Sequence, residues 1–345
     1  MAMPSIDAAL SVDAEPLEPI SDSTACYGAA LLRICLAAPP MSPLTVATET
    51  VLDTNTSFLC EPRTSHNNLC VVAATTIAVN APLRATGSRP LVLIATETIF
   101  LDSLLDVGSH RGDQAEAGAG ADPTVCFDAG AVPPGSGGGG AGGSFGSLGG
   151  AGGDGQGAGG QPGLLAGAAE LRGGCPGQPG QGASGGGHEG HGGGAVLLIA
   201  GTEISAGGGI NAAGESGDGA TTTMAGGGGG GAGGMIAFDA PRVDIGNLVL
   251  ATGGGGGEGS GESDMGNRGA DPSSVVSAAG GSRGTPEGGD GGDGAASLPA
   301  RGGSPGVVLG AARAGGGGGG GGNGIVIGPS NTEIGSDVAP PLQGY

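Results

Sequence analysis

Short runs of aliphatic residues recur along the chain in a fixed frame. Leu69 to Gly87 reads LCVVAATTIAVNAPLRATG, and Leu91 to Ser109 reads LVLIATETIFLDSLLDVGS, superposing at an offset of 22. Val196 to Gly214 and Met235 to Gly253 fall on the same frame, and VIGPSNTEI from Val326 restores its T-E-I step. An earlier echo, Ala47 to Val51, matches Ala95 to Ile99. Two columns emerge. The first holds Ile77, Ile99, Ile204, Val243 and Ile334; the second holds Leu83, Leu105, Ile210 and Val249. Upstream, Val71 and Ala73, Leu93 and Ala95, and Leu198 and Ala200 alternate with period two, the spacing of a strand. A unit of about 20 residues with two or three short strands cannot bury its own apolar face, but stacked units can. The expected fold is therefore all-β: a short parallel β-helix (β-solenoid). Unrelated hairpins in a sandwich would not hold the columns in register.

The offsets from Ile77 onward are 22, 105, 39 and 91, and the extra residues enter after the second strand. This divides the chain into an extended or disordered segment 1–43, first coils 44–107, an insert 108–194, a coil 195–214, an insert 215–234, a coil 235–253, an insert 254–324 and a terminal coil and tail 325–345. All three inserts are glycine-rich and leave one edge of the solenoid. Glycine falls at every third position from Gly137 to Gly155. That period suits polyglycine II-type helices of three residues per turn, in which an absent Cβ lets backbones approach. A flexible linker is the alternative.

Composition sharpens this picture. Gly supplies 86 of 345 residues and Pro 23, while aromatics are 2% with no Trp, so no large aromatic core can form. Eleven Lys and Arg face 32 Asp and Glu, a formal charge of −21. Such a balance excludes nucleic acid and anionic membrane as partners, and no segment is long and apolar enough for insertion. Cys26, Cys35, Cys60, Cys70, Cys126 and Cys175 form an even set without a C-x-x-C pair. Sequential pairing, Cys26–Cys35, Cys60–Cys70 and Cys126–Cys175, is one of 15 possibilities, and disulfides point to an oxidising compartment. The first 26 residues carry neither the basic nor the apolar region of a signal peptide, so compartment is read from the cysteines.

No catalytic constellation stands out. Lys is absent, which excludes a phosphate-binding P-loop, and no Ser has an evident His partner. His188-Glu189-Gly190-His191 places two His three apart in a glycine tract, whereas zinc hydrolases place them four apart on a helix. Asp154, Asp290 and Asp293 sit in G-G-x-G-x-D stretches that match the start of a calcium β-roll repeat, without the tandem copies and apolar residues a roll needs. These five are the metal candidates, and calcium the one ion they suggest. Arg111-Gly112-Asp113, an adhesion tripeptide, is expected at an exposed edge. Glu97, Asp102 and Glu203 are the acids a carbohydrate-active β-helix enzyme would use in a groove. Thr76, Thr98 and Thr202 do not share one column, so a flat Thr face for ice or polysaccharide is not supported.

The runs RATGSRPLVLIATETI, GSHRG, GGGGAGGSFG, LRGGCPG, GHGGGAVLLIAG, GGGGAGGMIAFDAP and GGGGGGGGNGIVI resemble a group of glycine-rich hypothetical proteins of myxobacteria, over residues 26 to 330. The resemblance implies an envelope or secreted location and supplies no activity. The expectation is a non-catalytic structural or adhesive protein, extracellular or in the cell envelope, without an organic cofactor. Its expected partners are polysaccharide or other surface proteins. A carbohydrate-binding or carbohydrate-active β-helix and a weak calcium-binding surface protein are the alternatives.

Overall fold

The computed structural model describes residues 25–345 apart from 61–65, 113–114, 128–129, 166–169 and 336. Three six-stranded sheets dominate, and every ladder in them is parallel. The first sheet stacks Cys70–Ala74, Leu91–Ala95, Ala195–Ala200, Met235–Asp239, Ile325–Gly328 and Gln343–Gly344. The second stacks Leu44–Val46, Ile77–Val79, Thr98–Leu101, Glu203–Ala206, Arg242–Ile245 and Glu333–Ile334. The third stacks Thr50–Asp53, Leu83–Thr86, Leu105–Asp106, Ile210–Asn211, Val249–Leu250 and Val338–Ala339. The chain visits first, second and third sheet in rotation, a course compatible with a parallel β-solenoid. Among the described residues, helix is limited to the single 3-10 turn Thr124–Cys126.

Aliphatic ladders fill the space between the sheets. Leu44, Ile77, Ile99, Ile204 and Val243 pair in succession, as do Leu83, Leu105, Ile210, Val249 and Val338. Ile77 to Val243 and Leu83 to Val249 are all buried in one cluster. The first sheet is also covered on its outer face. There Val92, Ile94, Leu197, Ile199 and Met235 pack against Ile34 and Leu36 of an antiparallel hairpin and against Phe145 and Leu171 of the first insert. Two covered faces explain why Leu91–Ala95 and Ala195–Ala200 are uninterrupted apolar runs.

Several expected alignments shift. Ile334 pairs with Ile245, two positions beyond Val243, and is 49% exposed, so it lies outside the core ladder. The turn before it is one residue shorter than its counterpart in the preceding coil, since Met235 pairs with Ile325 at an offset of 90 and Ile245 with Ile334 at 89. The echo at Ala47 to Val51 runs from a turn into the third sheet, where Val51 pairs with Arg84 instead of Ile99. Between Cys70–Ala74 and Leu91–Ala95 the offset is 21, because the turn Thr75-Thr76 is one residue shorter than Thr96-Glu97-Thr98. A slip of one residue exchanges the faces of a strand. Val72 therefore points inward beside Leu93, and Val71 packs on the outer face. The excursions follow the third strand of a turn, not the second: each leaves after a third-sheet strand and returns at a first-sheet strand. Of the expected extended segment 1–43, residues 1–24 lie outside the described set. Ala25–Tyr27 and Ile34–Leu36 form the hairpin.

The structure contains the disulfides Cys26–Cys35, Cys60–Cys70 and Cys126–Cys175, with no free cysteine among the described residues. They close the N-terminal hairpin, bind a loop to the first sheet, and tie the 3-10 turn to a glycine segment.

Candidate functional site

The glycine segments are organised as rows that hydrogen-bond through their backbones with a period of three. Residues 226–234 illustrate the rule. Gly226, Gly229 and Ala232 donate N–H to Gln181, Gln178 and Cys175. Gly227, Gly230 and Gly233 donate to Gly316, Gly319 and Gly322, and Gly228, Gly231 and Gly234 to Asp218, Glu215 and Ala212. Their carbonyls accept from Gly187, Gly190 and Gly193, from Gly140 and Gly143, and from Gly254 and Gly257. Neighbours so close leave no room for side chains: a Cβ on Gly229 would overlap the Ala141 carbonyl oxygen. Row 175–181 shows what happens at a margin. Gly177 and Gly180 donate to one neighbour, Gln178 and Gln181 to another, and the third direction is occupied by Pro176 and Pro179, which have no N–H to satisfy.

Where a row lacks a backbone neighbour, side chains replace it, and this assembles a polar cluster. In row 212–218 the third direction is filled by Asp271, whose Oδ1 accepts the Ser216 N–H at 2.8 Å, and by Asn211, whose Oδ1 accepts the Ala213 N–H at 3.0 Å. The other Asp271 oxygen accepts the Arg111 N–H at 2.7 Å. Arg111 belongs to the two-stranded hairpin His110–Arg111 with Ala115–Glu116. Its guanidinium is buried, donating to the carbonyls of Glu189 and Ser216 at 2.6 and 2.9 Å. Arg111 Nε also lies 2.9 Å from Glu215 Oε1, but its N–H points to the Ser216 carbonyl, so the contact with Glu215 is Coulombic. Glu215 is fully buried, and burial pushes its carboxyl up to about 7, against the opposing pull of the His191 N–H and the Arg111 charge. His191 Nδ1 contacts the Asp122 carboxylate, and that hydrogen bond raises the imidazole above its ordinary value.

The same hairpin faces the third sheet through His110. Asp106 holds His110 Nε2 at 2.9 Å, Arg84 at 2.9 Å and the Asn211 amide at 2.9 Å, and Arg84 continues to Glu116 at 3.0 Å. The hydrogen bond to Asp106 raises His110. Burial opposes ionisation of Asp106, yet His110, Arg84 and the Gly108 N–H together hold its carboxyl below the usual range.

The residues singled out in the sequence fare differently. His188 and His191 are three apart because three is the period of their row: their carbonyls accept from Asp218 and Glu215. His188 is exposed, while His191 is engaged with Asp122, so the pair does not converge. Asp290 and Asp293 lie in another row, accepting from Ser304 and Arg301, and the Asp154 carboxylate accepts the Gly159 N–H. Among the described residues no three His, Cys, Asp or Glu form a metal-ligating group. The adhesion tripeptide is not displayed as expected, because Arg111 is turned inward against Glu215; Asp113 lies outside the described residues. Glu97 and Asp102, which flank the second-sheet strand Thr98–Leu101, are exposed, and Glu203 on that sheet approaches Arg242 at 3.5 Å. Thr98 pairs with Glu203, and the Thr202 N–H bonds to the Glu97 carbonyl, so no Thr ladder exists there. A concavity of about 460 Å³ is lined by Val275, Val276, Leu298, Pro299, Val338 and Pro341, with Asp293, Arg301 and Asp337 also in its wall.

Sequence reasoning missed the Arg111, Glu215 and Asp271 cluster. The one available signal was isolated charge in tracts otherwise made of glycine. No helix among the described residues is long and apolar enough to cross a membrane. Comparison with protein-family models, with curated proteins and with solved structures gives no match.

Proposed function

We propose that this chain is a non-catalytic structural protein that works outside the cytoplasm, with the three sheets forming a β-solenoid spine and the glycine rows forming a second, polyglycine II-type layer against it. The carrying observation is the use to which the three inserts are put. Their glycines are spent on backbone bonds to other rows, the arrangement of a load-spreading material and not of a loop that shapes a reaction site. Three disulfides and no free thiol among the described residues fit an oxidising environment such as the envelope or an extracellular matrix. Polysaccharide or other surface proteins are the partners in this reading, met by the acidic outer surface.

Fractionation of cells that make the protein, with alkylation before any reduction, tests the proposal. The protein is expected in the medium or envelope fraction with no alkylated cysteine until reductant is added. Recovery from the cytosol with reactive thiols overturns it.

A further inference from the structure

The outward-pointing residues of the third sheet form one ladder, in which Val51, Arg84, Asp106, Asn211, Leu250 and Ala339 pair in succession. Its two ends are unlike. Val51 is 67% exposed on the outermost strand Thr50–Asp53, whereas Leu250 and Ala339 are buried although they lie outside the cluster between the sheets. Beside Ala339 opens the concavity of about 460 Å³. One wall is Val338, Ala339 and Pro341; the other is Val275, Val276 and Leu298, at turns of the third insert. Neighbouring strands lie about 4.8 Å apart, so the concavity occupies the place that a seventh ladder residue would take. The third insert thus covers one rung more than the described strands supply.

The backbones of the two outermost coils are complementary. Thr50 and Thr54 donate N–H to Pro82 and Thr86 of the second coil, so Val51, out of step with both, turns its N–H and C=O away from the stack. At the opposite end Val249 and Ala251 donate to the Asp337 and Ala339 carbonyls, so the N–H and C=O of Val338 also point outward. In the second sheet Leu44 donates to Thr76 and Gly335 to Ile245, which leaves Thr45 and Ile334 facing out in the same way. Among the described residues no strand pairs with either outer edge.

We propose that a second copy of this chain fills that place: its strand Thr50–Asp53 adds in parallel beside Val338–Ala339, and its Val51 enters the concavity. The columns dictate the register. Thr50 belongs to the column that ends at Val338, and Val51 to the one that ends at Ala339, so both ladders run on without a slip. The same step sets Val46 of the incoming copy beyond Ile334, which is 49% exposed. The two surfaces joined are different, so the contact is heterologous, and repeating it along the axis on which the coils stack gives a filament. This inference rests on reading the three sheets as a solenoid spine, and it adds the chain itself to the partners of that structural role. One contact opposes it. The step brings Glu49 of the incoming copy over Asp337, and each chain carries a formal charge of −21. Salt screens both repulsions, so association should strengthen as ionic strength rises.

Sedimentation of the full oxidised chain reads the assembly. Between about 0.01 M and about 1 M salt the screening length falls from about 30 to about 3 Å, and the wild type is expected to shift from monomer to species of two or more copies. Val51→Asp and Leu298→Asp alter exposed residues at opposite ends of the stack, so each should melt with the wild type and each should stay monomeric. Mixed in equal amounts, the two variants share one intact junction, the concavity of the first with Val51 of the second. The mixture should therefore form dimers and nothing larger. A wild type that stays monomeric throughout, single variants that assemble like the wild type, or a mixture that stays monomeric or passes beyond dimers would each overturn the proposal. None of these outcomes bears on where the protein resides, which the fractionation tests separately.

Discussion

A single methyl group placed in the middle of the glycine layer tests whether the rows are packed as described. Gly229 donates its N–H to Gln178 at 2.9 Å and accepts from Gly190 at 2.9 Å, while the Cβ of an alanine would run into the Ala141 carbonyl oxygen. Ala141 itself accepts from Gln178, so three rows meet at the point of overlap. The clash is with backbone atoms of Ala141 and Gly142, and alanine has no side-chain torsion to relieve it. Loss of two backbone bonds costs about 2 kcal/mol, and overpacking adds about 1 to 3 kcal/mol. Reduced freedom of the unfolded chain returns at most about 1 kcal/mol. Gly229→Ala should therefore destabilise by roughly 2 to 4 kcal/mol, a fall in Tm of several degrees for a chain of this size. Gly207 supplies the control. It lies on an exposed turn where a Cβ would sit 3.7 Å from the nearest atom, the Leu101 carbonyl oxygen, so Gly207→Ala should be neutral or slightly stabilising. Thermal unfolding of the two variants beside the wild type, under oxidising conditions, provides the comparison. If Gly229→Ala melts with or above Gly207→Ala, the rows are not in contact and the layer is not a packed one.

Ile99→Ala removes a fully buried side chain from the middle of the second-sheet ladder and should cost about 2 to 5 kcal/mol in denaturant unfolding. The variant carrying Cys126→Ser and Cys175→Ser opens a loop with a separation of 49 residues, and the chain-entropy relation puts its loss near 4 kcal/mol, more than for the separations of 9 and 10 of the other two disulfides. Asp106, held below the usual carboxylate range, contributes stability that is present above its unfolded value and is lost as pH falls through the folded one. Asp106→Asn should thus weaken the protein at neutral pH and flatten the acid limb of its pH–stability curve.

The sequence was most legible where turn lengths stay constant. From Ile99 to Ile204 to Val243, the second- and third-sheet strands keep the same spacing, so gapless alignment finds true partners. It misplaced Val71 and Ile334 because the turn between first- and second-sheet strands changes length in those two coils, after Val71 and before Ile334, and turn length is not carried by the aliphatic pattern. The uninterrupted run Ala195–Ala200 carried a signal that period-two reasoning overlooked, namely a second covered face. In the glycine tracts a period of three is visible, but the choice of neighbour is not. Gly229 and Gly230 are chemically identical, and only the folded path decides that one bonds to Gln178 and the other to Gly319. CPGQPGQ at residues 175–181 is the exception, since proline marks the direction that has no neighbour. The charged cluster was hidden by distance along the chain: Arg111 and Asp271 are 160 residues apart.

The glycine rows also set how the protein responds to temperature. An ordinary core removes hydrocarbon from water, and its exposure on unfolding raises heat capacity by about 0.45 cal/K/mol per Å², whereas exposed peptide groups lower it by about 0.26. In the second layer what is shielded is mostly amide and carbonyl, paired row to row. Per residue, this chain should therefore gain less heat capacity on melting than a globular domain of equal length. Its dome of stability would be broader, holding the layer together across a wide span of environmental temperatures.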